Sequence, residues 1–289
     1  MGQIIRDRRG NALTTNMTAA GKARRMNRIF APDGKAVMVA VNHGLGYGPA
    51  RGIDDMYALL RKIMPLKPDS ITLHKGLATR FSDEIAHETS VILKVTNQTR
   101  FFAPEETSVA TVREALCLDA DAIAIGLSLC GPLEREEIAR AAELVTEAEN
   151  YGIPTVAHSY PCGSYLEESA RYNFENVAYA TRVALELGID IIKTFWTGSE
   201  SSFAGIVKVG QPARVVISGG PRCETLLDCF RMTYEGMNAG ASGITYGRNI
   251  WQHEFPNAVV AGLMAIVHGN ATPESALELA SDTAGQCLA

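Results

Sequence analysis

Eight short β-rich runs, helical stretches between most of them, and no linker-like tract in 289 residues predict an α/β protein. The expected form is a single (β/α)8 TIM barrel with an extra N-terminal helix. The strand runs are Ala36 to Val41, Ser70 to Leu73, Val91 to Val95, Ala122 to Ile125, Thr155 to Ala157, Asp190 to Thr194, Arg214 to Ile217 and Gly243 to Tyr246. Between them, EREEIARAAELVTEAENYG, ENVAYATRVALELG and CETLLDCFRMTYEGMNAG repeat apolar residues at three and four and end in glycine, as helices do. Ahead of the first strand, roughly Ala19 to Phe30 is expected to form a helix that covers the barrel floor. The predicted organisation is one domain over 1–289: an extension and capping helix over 1–33, the barrel over 34–270, and a C-terminal helix and tail over 271–289.

A chain with 46% hydrophobic residues can bury a large core. A net charge of −5 gives no basic footprint for nucleic acid, so small molecules are the expected partners. Six cysteines are scattered without C-x-x-C or metal-finger spacing, which fits reduced thiols. The start, MGQIIRDRRGNALTT, has no apolar targeting core, and no run approaches the ~18 apolar residues that span a bilayer. A cytoplasmic protein with no membrane partner is expected.

Barrel enzymes carry their chemistry where strands end and loops begin. By that rule the mouth gathers Asn42, His43, His74, Lys75, Lys94, His158, Tyr160 and Lys193. Lys193 lies in IIKTFWTG, flanked by Ile191, Ile192, Phe195 and Trp196. An ammonium there is costly to desolvate, so its pKa falls and a free amine becomes available to attack a carbonyl. The alternative is a lysine that snorkels to water or pairs with a carboxylate. Downstream, ISGGPR and YGRNIWQ place Ser218, Gly219, Gly220, Gly247 and Arg248 at the ends of strands seven and eight, where barrels bind phosphate on backbone N–H groups.

His158 and Tyr160 share a strand face, and Tyr160 is the expected proton carrier; its alternative is a hydroxyl that anchors the turn at Pro161. His43, His74 and His158 could ligate a metal, but no H-x-H or H-E-x-x-H spacing supports it, and neither metal nor cofactor is expected. Lys75 and Lys94 could each serve as a second cation for an anionic substrate or cap strand ends.

Together with LHKG and HSYPCG, these motifs resemble the class I aldolases of archaeal fructose-bisphosphate aldolase type and the related aminodideoxyheptulosonate synthases, over about Gly34 to His268. The resemblance implies that Lys193 forms a Schiff base, Tyr160 acts as acid and base, and Gly219, Gly220, Gly247 and Arg248 hold a substrate phosphate. Two positions depart from the family pattern. Asn42 stands where an aspartate is usual, and an amide can orient a hydroxyl or water but cannot be a base. Cys162 stands where an arginine is common, which removes a cation and makes a bisphosphorylated substrate less expected. The leading expectation is carbon–carbon cleavage or condensation on a phosphorylated ketose or dihydroxyacetone-phosphate-like donor, by a homo-oligomer. The alternatives are lysine-assisted acyl transfer to coenzyme A from a phosphorylated diketone, a phosphosugar-binding barrel with weakened catalysis, and metal-dependent lyase chemistry.

Overall fold

The computed structural model describes residues 5–6, 12–13 and 17–288. Of the predicted extension, residues 1–4, 7–11 and 14–16 lie outside the described residues, as does Ala289 of the tail. Eight parallel strands close into a barrel: β1 (Ala36–Ala40), β2 (Ser70–Leu73), β3 (Ser90–Lys94), β4 (Ala122–Leu129), β5 (Thr155–Pro161), β6 (Ile191–Thr194), β7 (Arg214–Ser218) and β8 (Gly243–Tyr246). The ring closes through β8 pairing with β1, Gly243 opposite Ala36. All eight predicted strands are present, and β4 and β5 run four residues further than expected, so His158 and Tyr160 lie within β5 rather than beyond its end.

Both faces of these strands are covered, which is why they read as near-continuous apolar runs such as AVMVA, buried at all five positions. Alternation sorts the side chains into two layers. One set, with Val37, Val39, Ile71, Ile123 and Ile217, packs outward against the helices. The other, with Ala36, Met38, Ile92, Ala122, Ala124, Val156, Ile191 and Val216, forms a separate cluster inside the lower barrel. Ile29 and Phe30, at the end of helix α1 (Met17–Ile29), complete that inner cluster. The floor helix is tied down by Lys22, which pairs with Glu149 and, at 3.1 Å, with Asp190, and by Arg28 on Asp121.

Helices alternate with the strands and cover the barrel's outer face, among them α2 (Glu134–Tyr151), α3 (Leu226–Asn238), α4 (Pro256–Gly269) and α5 (Pro273–Leu288). Helix α5 packs on α4 and α3. The sequence pattern does not predict two strand pairs: Ile5–Arg6 with Ala12–Leu13 ahead of α1, and an antiparallel hairpin of Thr96–Gln98 with Glu106–Ser108, inserted between β3 and β4. Among the described residues, no helix is long and apolar enough to cross a membrane.

Candidate active site

The inward alternation of the lower barrel continues upward. Counting by twos from the floor cluster leads from Ile92 to Lys94, from Ala124 to Gly126 and Ser128, from Val156 to His158, Tyr160 and Cys162, and from Ile191 to Lys193. These side chains reach the upper barrel, where a cavity of about 500 Å³ opens. Asn42, His43, Lys94, Glu106, His158, Tyr160, Cys162, Arg171, Lys193, Phe195, Ser218, Gly219, Gly220, Gly247 and Arg248 are among the residues that line it. The volume suits a small metabolite.

Lys193 is only 5% exposed. Burial, then the positive charges of Lys94 and Arg248, hold its amine down at about 7, with Glu106 opposing them. At neutral pH a large share is therefore the free amine, the form that adds to a carbonyl. Lys94, buried beside it, has its pKa lowered by desolvation, but its ammonium is engaged by Glu106 at 2.6 Å. In register, Lys193 lies opposite His158, and His158 opposite Gly126.

Tyr160 donates to the Ser218 hydroxyl at 3.0 Å and stacks on Phe195, ring centres 4.3 Å apart. Burial pushes its phenol well up, so it stands as a neutral donor. Desolvation also raises the Cys162 thiol, to about 11, which leaves no thiolate nucleophile here at neutral pH.

The ends of β7 and β8 form one construction. Arg248 donates to the Gly220 carbonyl at 2.6 Å, and Gly220 takes a left-handed φ of 57°. Asn249 ties the two loops, donating to Gly219 O at 2.9 Å and accepting from the Cys223 N–H at 2.8 Å. Gly247 is needed for room: a Cβ there would come within 2.5 Å of the His43 ring and 2.8 Å of Ala40 O. A guanidinium, a hydroxyl and glycine backbone thus converge as an anion site would require.

The histidines separate by role. His43 lines the cavity, stacks with Tyr47, and is pushed down to about 3 by burial and the Lys193 and Arg248 charges. His158, buried, is likewise held neutral. His74 does not line the cavity; its ring nitrogens lie 3.0 Å from the carbonyl oxygens of Lys94 and Asn42 and tie strand ends together.

Lys75 corrects an expectation: it opens the helix Lys75–Arg80, is 47% exposed and pairs with Glu114 at 2.6 Å, away from the cavity. The strand stops at Leu73 and Lys75 is already the first residue of a helix, so strand alternation no longer aims its side chain at the mouth. A second correction concerns the cation missing at Cys162. Arg171, from the turn Glu168–Tyr172, lines the same cavity and its charge reaches the Cys162 thiol. Asn42 is buried, with its amide donating to Asn97 Oδ1 at 3.3 Å. Asn42 Oδ1, His158 Nε2 and Arg171 Nε are buried without a hydrogen-bond partner among the described residues, on side chains that line the cavity.

Sequence reasoning missed Glu106, Asn97 and Arg171, and gave Asn249, at the end of strand eight, no role of its own. One signal was present for Glu106: a glycine inside the strand AIAIGLSL marks close approach of another group.

Residues 36–253 match the profile described as DeoC/LacD family aldolase. The chain is 30% identical to a 2-amino-3,7-dideoxy-D-threo-hept-6-ulosonate synthase of Halobacterium salinarum, over 90% of this chain and 97% of that protein. It is 34% identical to a class 1 fructose-bisphosphate aldolase of Thermoproteus tenax, over 84% and 93%. Among solved structures, an archaeal fructose-1,6-bisphosphate aldolase with its catalytic lysine bound to a carbinolamine intermediate superposes with a TM-score of 0.79 at 30% identity, covering 86% of this chain and 100% of that one. The fold, the upper-barrel cavity and these likenesses agree that the chain belongs to the DeoC/LacD family of aldolases.

Proposed function

We propose that this Schiff-base aldolase forms its imine on Lys193 and cleaves or condenses a phosphorylated ketose or dihydroxyacetone-phosphate-like donor. What carries the reading is geometric: the Lys193 amine is buried in the same cavity as Ser218, Gly219, Gly220, Gly247 and Arg248, where burial and neighbouring charges hold it at about 7. The amine adds to the ketone, water leaves, and the iminium draws electrons from the adjacent carbon–carbon bond as it breaks. Tyr160 moves the proton on the substrate hydroxyl, since an iminium nearby lowers the pKa of its phenol. The phosphate is held between β7 and β8, which fixes the carbonyl over Lys193. Arg171 offers a second cation, so the cavity accommodates a donor with a second anionic group. The enzyme acts as a homo-oligomer in the cytoplasm, which gel filtration and fractionation test.

Fructose 1,6-bisphosphate and a panel of ketose phosphates, assayed for aldehyde release, test the reading. Cleavage of one of them by the protein, and its loss in Lys193→Met, is the expected result. Turnover surviving Lys193→Met would overturn it.

A further inference from the structure

Imine chemistry moves protons at two stages, and Asn42, Tyr160 and Cys162 serve it incompletely. Asn42 is an amide, the Tyr160 phenol is raised by burial, and Cys162 is a neutral thiol. Among the described residues lining the cavity, one is a carboxylate: Glu106. It does not come from a barrel strand. The hairpin between β3 and β4 folds back over the mouth, and the Glu106 N–H donates to Glu137 Oε1 of α2 at 2.8 Å, which fixes where its side chain starts.

The barrel is cut to receive that side chain. Gly126 points inward from the middle of β4, and a Cβ built there would lie 1.7 Å from the Glu106 carboxyl carbon. The carboxyl group therefore occupies the place that β4's own side chain would take. Register puts that place in the row that runs from Gly126 to His158 to Lys193. The hairpin has in effect set a carboxylate on the fourth strand, in the row of the amine. Its anchoring is one-sided: Lys94 Nζ, at 2.6 Å, and Thr96 Oγ1 both donate to Oε2, and Thr96 in turn accepts from the Gly126 N–H at 2.7 Å. Oε1 has no protein partner among these contacts. A purely structural ion pair inside a barrel has little reason to leave one oxygen unused beside a cavity.

We propose that Glu106 is the proton carrier for imine formation on Lys193, with Lys94 and Thr96 as the residues that position it. The inference rests on Lys193 being the imine-forming amine. As the nitrogen–carbon bond forms, the carboxylate takes one N–H proton and returns it to the carbonyl oxygen, giving a neutral carbinolamine. A second proton, from solvent through the same carboxyl, goes to that hydroxyl as the carbon–oxygen bond breaks. Water leaves, the nitrogen lone pair closes the double bond, and the iminium carries the positive charge of the proton consumed. Hydrolysis runs the same steps backwards.

Rapid-quench borohydride trapping with dihydroxyacetone phosphate measures the step. Glu106→Gln, close in shape, is expected to slow imine formation by about 10²-fold or more while the dissociation constant stays within about threefold. Gly126→Ala retains every acid and base but fills the carboxyl's place, and should slow the step comparably. In Glu106→Ala, added formate should restore the rate in proportion to its concentration, which a lost structural contact would not allow. Imine formation at the parent's rate in Glu106→Gln, or in a folded Gly126→Ala should Glu106→Gln fail to fold, would overturn the proposal. So would a slowed Glu106→Ala that formate leaves slow. A parent protein that traps no imine would instead overturn the role of Lys193, and this inference with it.

Discussion

The Lys193 amine is tuned by three influences of known sign: desolvation lowers its pKa, the Lys94 and Arg248 charges lower it further, and Glu106 raises it. The reactive form is the unprotonated amine, so activity should increase with pH through the pKa. The initial rate of borohydride trapping is expected to rise through about pH 7 and level off above it, because the amine is held at about 7. A rate that keeps rising to pH 10 would mean an ordinary lysine. This residue was legible in the sequence because an ammonium in IIKTFWTG contradicts its apolar surroundings. Glu106 was not, because a charged residue in a polar loop contradicts nothing; only the missing side chain at Gly126 in β4 hinted at it. Arg171 was hidden for the same reason, and Cys162 therefore suggested a poorer cation supply than the cavity has.

At the scale of elements, strand alternation does most of the positioning. The period of two that sends Ile191 into the floor cluster sends Lys193 into the cavity, whereas Lys75, past the end of its strand and in a helix, pairs with Glu114. The β runs were readable because both their faces are buried. The mouth hairpin was not, because its strands are three residues each and mostly polar, too short for a period to register. A second element-level feature sits at the barrel's lower rim. His268, near the end of α4, bridges Asp33 at 2.8 Å and Asp69 at 2.9 Å, and Asp69 also accepts from the Val37 N–H at the start of β1. The Asp69 and Asp33 partners raise the His268 pKa above 6.5, against the lowering effect of burial. A raised folded value means stabilisation that is complete below the unfolded pKa and lost as pH climbs through the folded one. His268→Gln is therefore expected to lower Tm more at pH 6 than at pH 9. Equal losses at both would show that the ring acts by packing alone.

Across the whole molecule, one end of the barrel is plugged and the other is open. Ile29 and Phe30 close the floor against the inner strand residues, while the upper layers hold lysines, histidines and glycines in place of apolar side chains. The eight strands, the floor helix and the glycine-bearing ends of β7 and β8 could all be read from local pattern. The groups that fill the mouth from outside the barrel could not, because their positions depend on how loops fold back. Ile29→Ala removes buried methyl groups far from the cavity. It is expected to cost about 2–5 kcal/mol and to lower Tm by several degrees, with the rate of imine formation unchanged. A change in that rate at unchanged Tm would contradict the separation of floor from site. Lys193 is expected to carry the substrate, and peptide mass spectrometry after borohydride reduction with dihydroxyacetone phosphate locates the attachment. One stable adduct is expected, on the peptide containing Lys193 and absent from Lys193→Met. An adduct on Lys94, or an unmodified Lys193 under turnover, would contradict it.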